Sequence, residues 1–204
     1  MNIQPPILDG TRVALLPMQE SHIQGLAEAA ADPAIFAYMT PLLQLTDVQQ
    51  FVHQALEEQQ AGLGIPFSVY DKQLERFVGS TRLFDLSAQH RHGEIGHTWY
   101  NPGVWRTRVN TECKYLLLRY SFETMDLIRL QIKTDLRNER SKAAIARLGA
   151  QKEGVLRNHR ILHDGYIRDT VMFSIVDREW PEVKARLEGF LTASYPAAAP
   201  SFSK

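Results

Sequence analysis

Gly93-Glu94-Ile95-Gly96-His97-Thr98-Trp99-Tyr100, then Asn101-Pro102-Gly103-Val104-Trp105-Arg106-Thr107-Arg108, then Val109-Asn110-Thr111-Glu112-Cys113-Lys114, is the stretch whose reading decides the fold. The first block predicts a strand, with Glu94, Gly96, Thr98 and Tyr100 on one face and Ile95, His97 and Trp99 on the other. The second is a loop. The third opens a helix, because Val109, Cys113, Leu116, Leu117 and Tyr120 recur as one apolar stripe. The first amides of such a helix lack intrahelical acceptors and sit at the positive end of its dipole, which suits a phosphate. Arg106, Arg108, Lys114 and Arg119 surround this start against the single acid Glu112, a local net of +3. The same side chains are equally what a solvated helix surface carries.

Upstream, Arg12–Leu16 reads as a short strand stopped by Pro17, and Ile23, Leu26, Ala27 and Ala30 as an amphipathic helix ending near Asp32-Pro33. Thr46 with Gln49 forms a capping-box pattern for a second helix striped by Val48, Phe51, Val52, Ala55 and Leu56. Ile65, Phe67 and Val69 alternate as a strand, with Phe77–Leu86 as its hairpin partner. Downstream, Ile128, Leu130 and Ile132 alternate with Arg129, Gln131 and Lys133, a strand with one polar face. Asn138 caps a helix that Gly149 stops, strands 151–161 and 166–176 flank the turn pair Asp164-Gly165, and Pro181 opens a last helix through about Leu191. Seven strands and five helices without a linker predict one α+β domain around a mixed, mostly antiparallel twisted sheet. The domain is expected over residues 1–191, with 192–204, Ala/Pro/Ser-rich, as a flexible tail.

The composition fits an ordinary globular chain: 204 residues, 44% hydrophobic and 23% charged. No apolar run is long enough to span a membrane, and the N-terminus lacks the basic-then-apolar pattern of a secretory signal. The lone Cys113 excludes a disulfide framework and falls on the apolar stripe, so a cytoplasmic setting and a packing role are expected. No metal-ligand spacing occurs among the seven histidines, so no metal is expected. The balance of 23 basic and 23 acidic side chains argues against a nucleic-acid partner. It hides a segregation: residues 1–104 sum to −6, 105–168 to +7 and 169–204 to −1. Hydrolase, NTPase and dinucleotide-binding glycine motifs are absent from the sequence.

Glu94-Ile95-Gly96, Trp99-Tyr100, Trp105–Glu112, Asn138-Glu139-Arg140-Ser141, Leu148-Gly149-Ala150 and Glu153-Gly154, in this order and spacing, resemble the GNAT superfamily, most closely its RimJ/RimL-type N-acetyltransferases. The resemblance spans roughly residues 8–178. It implies transfer of an acetyl group from acetyl-CoA to a primary amine, either a protein N-terminus or a small molecule, through a ternary complex. The phosphate-gripping pattern of the family maps onto Trp105, Arg108 and Asn110, all three of which depart from it, with Arg108 in a glycine place. The resemblance assigns CoA contacts to Thr98, Trp99, Tyr100, Arg106, Thr107, Arg108, Val109, Asn110, Thr111, Asn138 and Ser141. The +7 segment suits the CoA phosphates and the −6 segment a cationic amine.

Attack on a thioester needs a neutral amine, a stabilised oxyanion and a protonated leaving thiol. Glu94 is the candidate base; the alternative is a strand carboxylate paired with a neighbour such as Arg82. A backbone N–H near Thr98–Tyr100 is the candidate oxyanion donor. Ser141 is the candidate acid, with helix packing as its alternative, and Asn138 serves the pantetheine arm, a helix cap, or both. Other readings remain: a CoA-binding or protein-interaction module without turnover, and a transferase for another acyl-CoA such as succinyl-CoA. A homodimer is a further possibility.

Overall fold

A two-residue strand that sequence alternation is too short to reveal, β1 (Leu8–Asp9), opens the sheet and raises its count from the expected seven to eight. The computed structural model describes residues 5–193. Most of the expected tail 192–204 lies outside them. Among the described residues the order continues as β2 (Val13–Pro17), α1 (Ile23–Ala30), α2 (Leu45–Gln60), β3 (Gly64–Asp71), β4 (Arg76–Ser87), β5 (His92–Tyr100), α3 (Val109–Arg119), β6 (Arg129–Asp135), α4 (Glu139–Leu148), β7 (Gln151–Ile161), β8 (Ile167–Val176) and α5 (Trp180–Thr192). The sheet runs β1-β2-β3-β4-β5-β6-β8-β7. Its one parallel pair is β5–β6, joined by the α3 crossover.

Two apolar clusters grip this sheet. One gathers Ile95, Leu130, Ile132, Val171, Phe173 and Ile175 with the buried faces of α3, α4 and α5. The other gathers Leu26, Ala30, Val48, Val52, Ala55 and Trp99 with α1 and α2. The predicted stripe of α3 is buried at Val109, Cys113, Leu116 and Leu117. At α2 the capping pattern is offset from the expected one: Gln44 is the N-cap, and its N–H donates to the Asp47 carboxylate at 2.9 Å. Asp, three positions into the helix, fills the reciprocal role better than Gln49 because it is charged and short.

Two irregularities of β5 position the site. Its pairing with β6 runs from His92↔Arg129 to Ile95↔Ile132 and stops there. Beyond that point β5 follows β4 and β6 follows β8, so the two strands diverge and one edge of β5 has no strand partner. The second is a bulge. Register moves from Arg82↔Gly96 to Ser80↔Trp99, three steps on β5 against two on β4, with His97 at φ +48°. A bulge inverts the alternation beyond it. The expected common face of Glu94, Thr98 and Tyr100 is therefore corrected. Thr98 accepts a hydrogen bond from Lys114 of α3, and Tyr100 packs with the α3 cluster, whereas Trp99 joins α1 and α2.

Candidate active site

The loop 101–108 is folded by its own side chains. Asn101 Oδ1 accepts from Gly103 N–H at 3.0 Å, and Trp105 Nε1 donates to the Tyr100 carbonyl at 2.8 Å. Thr107 Oγ1 donates to the Val104 carbonyl at 2.7 Å and accepts from Val109 N–H at 3.3 Å. Helix α3 then begins, with Arg108 in an ordinary right-handed conformation, φ −70° and ψ −11°. The strained residue is its neighbour Arg106, exposed at φ +60°. A side chain at 108 thus costs the backbone nothing; a glycine place is left vacant only where φ is positive.

The side chains predicted around this helix start divide by orientation. Arg106 is exposed, and Arg108, Asn110, Asn138 and Ser141 are half-buried. Thr107, Val109, Thr111, Trp99 and the Tyr100 hydroxyl are buried, so their side chains face away from any ligand outside the cores. Thr111 Oγ1 accepts from Arg147 of α4 at 2.6 Å, tying the two helices together. Two charges counted toward the basic surround turn inward instead. Glu112 reaches the β1–β2 turn, where its oxygens accept N–H groups of Thr11, Arg12 and Val13. Lys114 lies under the sheet, its Nζ 2.9 Å from Thr98 Oγ1, and burial brings its pKa down to about 8. Helix periodicity favours both outcomes, since Glu112 lies three residues after Val109 and four before Leu116, and Lys114 three before Leu117 and four before Leu118, all of them buried.

Helix α4 is capped as expected: Asn138 Oδ1 accepts from Ser141 N–H at 2.9 Å, and Gly149 at φ +107° ends it. Arg140, in its first turn, stacks 3.8 Å over the Trp105 ring and so bridges the starts of α3 and α4.

Glu94 is 3% exposed on the last rungs of the β5–β6 ladder. Its partner is Lys133, at 2.5 Å, with Gln131 Nε2 donating at 3.1 Å. Of the alternatives weighed for Glu94, the paired carboxylate occurs with Lys133 in place of Arg82, which reaches α2, donating to Glu58 Oε2 at 2.7 Å and lying 4.6 Å over the Phe51 ring. Burial raises the Glu94 pKa, and Lys133 opposes that rise. The lysine was legible as the polar position two beyond Gln131; which carboxylate it meets depends on the β5–β6 register.

His97 is a residue that sequence reading passed over. The bulge exposes it, edge-on to Phe84 at 5.1 Å between centroids, and its surroundings push its pKa down to about 4, so it is neutral near pH 7. Cys113 is buried with its thiol pushed up to about 12, as a packing residue should be. Among the described residues no group of three or more His, Cys, Asp or Glu is placed to hold a metal ion, and no helix is long and apolar enough to cross a membrane.

The chain matches a known family model, the acetyltransferase (GNAT) domain, over residues 12–151, a span that includes the diverging strands and the starts of α3 and α4. The chain belongs to the GNAT acetyltransferases. An uncharacterized N-acetyltransferase, p20, of Bacillus licheniformis is 25% identical over 83% of this chain and 95% of its own. The [ribosomal protein uS5]-alanine N-acetyltransferase of Escherichia coli is 25% identical over 58% of this chain and 61% of its own. Among solved structures, a GCN5-related N-acetyltransferase from Brucella melitensis superimposes with a TM-score of 0.85 at 25% identity, covering 94% of this chain and 88% of that one. This GNAT chain is therefore an acetyltransferase with ribosomal-protein N-acetyltransferases among its relatives.

Proposed function

We propose that this protein transfers an acetyl group from acetyl-CoA to a primary amine, a protein N-terminus or a small molecule, by direct attack within a ternary complex. The observation that carries the reading is the gap beyond Ile95 and Ile132, with buried Glu94 at its base and helix starts of α3 and α4 following the two strands that border it. When bound, acetyl-CoA supplies an acyl group activated on a thiol leaving group.

The residues present fit that donor. Amides at the start of α3, at Asn110 and Thr111, face no preceding helical carbonyl, that of Val109 is shared with Thr107 Oγ1, and Arg108 keeps a conformation that leaves this turn intact. Arg106, Arg108 and Asn110 would add charge and hydrogen bonds to the diphosphate. Asn138 would accept from the pantetheine arm's amide only by sharing the oxygen that caps α4; its amide nitrogen is the better donor toward that arm. The unpaired edge of β5 at Thr98–Tyr100 would offer an N–H to the thioester oxygen as charge grows on it. Trp99 and Tyr100 act through backbone alone, because their side chains belong to the cores.

Glu94 takes the proton from the incoming ammonium, directly or through water. The amine nitrogen forms its bond to the acyl carbon as the carbon–sulfur bond breaks, a second amine proton passes to solvent, and Ser141 Oγ hands its proton to the departing sulfur while taking one back from solvent. A thiol leaves readily at neutral pH, so the base matters more than the acid.

Incubation with acetyl-CoA and an amine panel should release free thiol above background. Glu94→Gln should lower kcat/KM about 100-fold. The wild-type rate should fall as pH drops through the raised Glu94 pKa, and the variant should lack that limb. An unchanged pH profile would remove Glu94 from the role. Coenzyme A uptake without turnover on any amine would mark a binding module instead.

A further inference from the structure

The β7–β8 hairpin sets Arg160 directly opposite Arg168. Lys133 faces Met172 across β6–β8, and Arg168 lies an even number of residues from Met172, so the arginine pair shares the sheet face of Lys133 and Glu94. This pair is poorly compensated. The acid nearest to Arg168 is Asp135, whose Oδ2 is 3.9 Å from Nε, beyond hydrogen-bond reach. Asp135 is already engaged by Arg137, which donates through its backbone N–H at 2.9 Å, Nε at 3.0 Å and Nη2 at 2.8 Å. Arg168 Nε is consequently buried without an acceptor. Arg160 is exposed and forms no salt bridge with any described residue, and two further cations on this face, Lys133 and Arg129, are committed to Glu94 and Glu153.

Like charges directly across a ladder destabilise it, and a buried N–H donor without an acceptor costs more than one left in water. An anion held between the guanidinium groups would relieve both costs and match their forked geometry. The charge of Arg160 is felt at both Glu94 and His97, which lie on β5 at the strand gap. An amine that gives its proton to Glu94 must approach on this face. From this arrangement we infer that the acceptor carries an anionic group, a carboxylate in the simplest case, bound jointly by Arg160 and Arg168. The inference rests on the acyltransferase reading above and adds to it the substrate class. It departs from the expectation that acidic surroundings draw in a simple cationic amine: Glu94 and Asp135, two of the acids on this face, are each paired to a cation.

The test uses the full chain with acetyl-CoA and a ladder of ω-amino acids, glycine to 6-aminohexanoate, each against its own carboxamide. The dipeptide amides Ala-Glu and Ala-Gln form a further pair. At least one carboxylate should exceed its amide by about tenfold in kcat/KM, the factor expected of a charge-assisted contact. Arg160→Gln should bring that ratio toward one, and Arg168→Gln should do the same if the hairpin folds. Arg157→Gln, on the same strand outside the pair, should preserve it. Calorimetric titration of the N-acetylated products into the CoA-loaded protein should show the same ratio and its loss in Arg160→Gln, independently of turnover. Turnover or product binding with no carboxylate preference on any rung overturns the inference and leaves the transferase intact. Absence of turnover with every acceptor overturns the transferase reading, and the titration still decides the arginine pair. A preference for succinyl-CoA over acetyl-CoA that depends on Arg160, with amides accepted as well as acids, would assign the anion to the acyl group and overturn the acceptor claim.

Discussion

The N-terminal hairpin buries its charges, the β7–β8 hairpin sets a half-buried Arg168 beside an exposed Arg160, and the two treat charge in opposite ways. At the first, Arg12 donates through Nε and Nη2 to Asp71 at 3.0 and 2.9 Å, Asp71 also accepts from Gln73 N–H, and Glu112 gathers the amides of Thr11, Arg12 and Val13. Every group there has its partner. At the second, Arg160 and Arg168 face one another with a single nearby acid already taken by Arg137. A saturated network holds α3 against the sheet and has nothing left to offer a ligand. An unsaturated one retains binding capacity, at some cost to local stability.

If that contrast is right, the largest stability loss comes from breaking the saturated side. Arg12→Met leaves Asp71 buried and uncompensated, and should cost about 3–5 kcal/mol in urea unfolding. A result near zero would erase the distinction between the two hairpins. Lys114 offers a sharper, pH-dependent probe. Its folded pKa of about 8 lies below its ordinary 10.5, so the unfolded chain binds more protons between those values and wild-type stability should rise with pH across them. Relative to Lys114→Met, the gain from pH 7 to pH 10 should be about 2 kcal/mol. The smallest effect belongs to the outer surface, where Arg129 meets Glu153 at 2.5 Å and holds its pKa down to about 2. That pair stabilises the fold above the ordinary carboxylate range and fades as pH falls toward 2. Exposure screens it, so Arg129→Gln should cost about 1 kcal/mol or less at neutral pH.

Periodicity made the five helices and seven of the strands legible, because each carries enough residues to show a 3.6- or 2-residue repeat. Strand β1, at two residues, has no period to display. The cap of α4 was readable from Asn138 since it is local, whereas the cap of α2 was misplaced by two residues because Gln44 and Asp47 compete with an equally plausible Thr46 and Gln49. The candidate site was legible where it depends on order along the chain: strand, loop and helix start. It was illegible where it depends on register. Nothing in Glu94 itself says that Lys133 rather than Arg82 neutralises it, and nothing in Arg160 announces Arg168 across the ladder. The inward turn of Glu112 and Lys114 was available from the helical stripe but masked by counting charges without asking which way they point.

The one surplus residue at His97 has a wider meaning for how such a strand can change. It works as a half-turn in the thread: every side chain after it swaps sides relative to those before it. Straightening the strand with that residue retained would send Trp99 toward α3 and Tyr100 toward α1 and α2, scrambling both interiors at once, whereas losing it would leave both on their present sides. Divergence at this point is therefore expected either to keep a residue that tolerates a φ of +48° or to drop it outright.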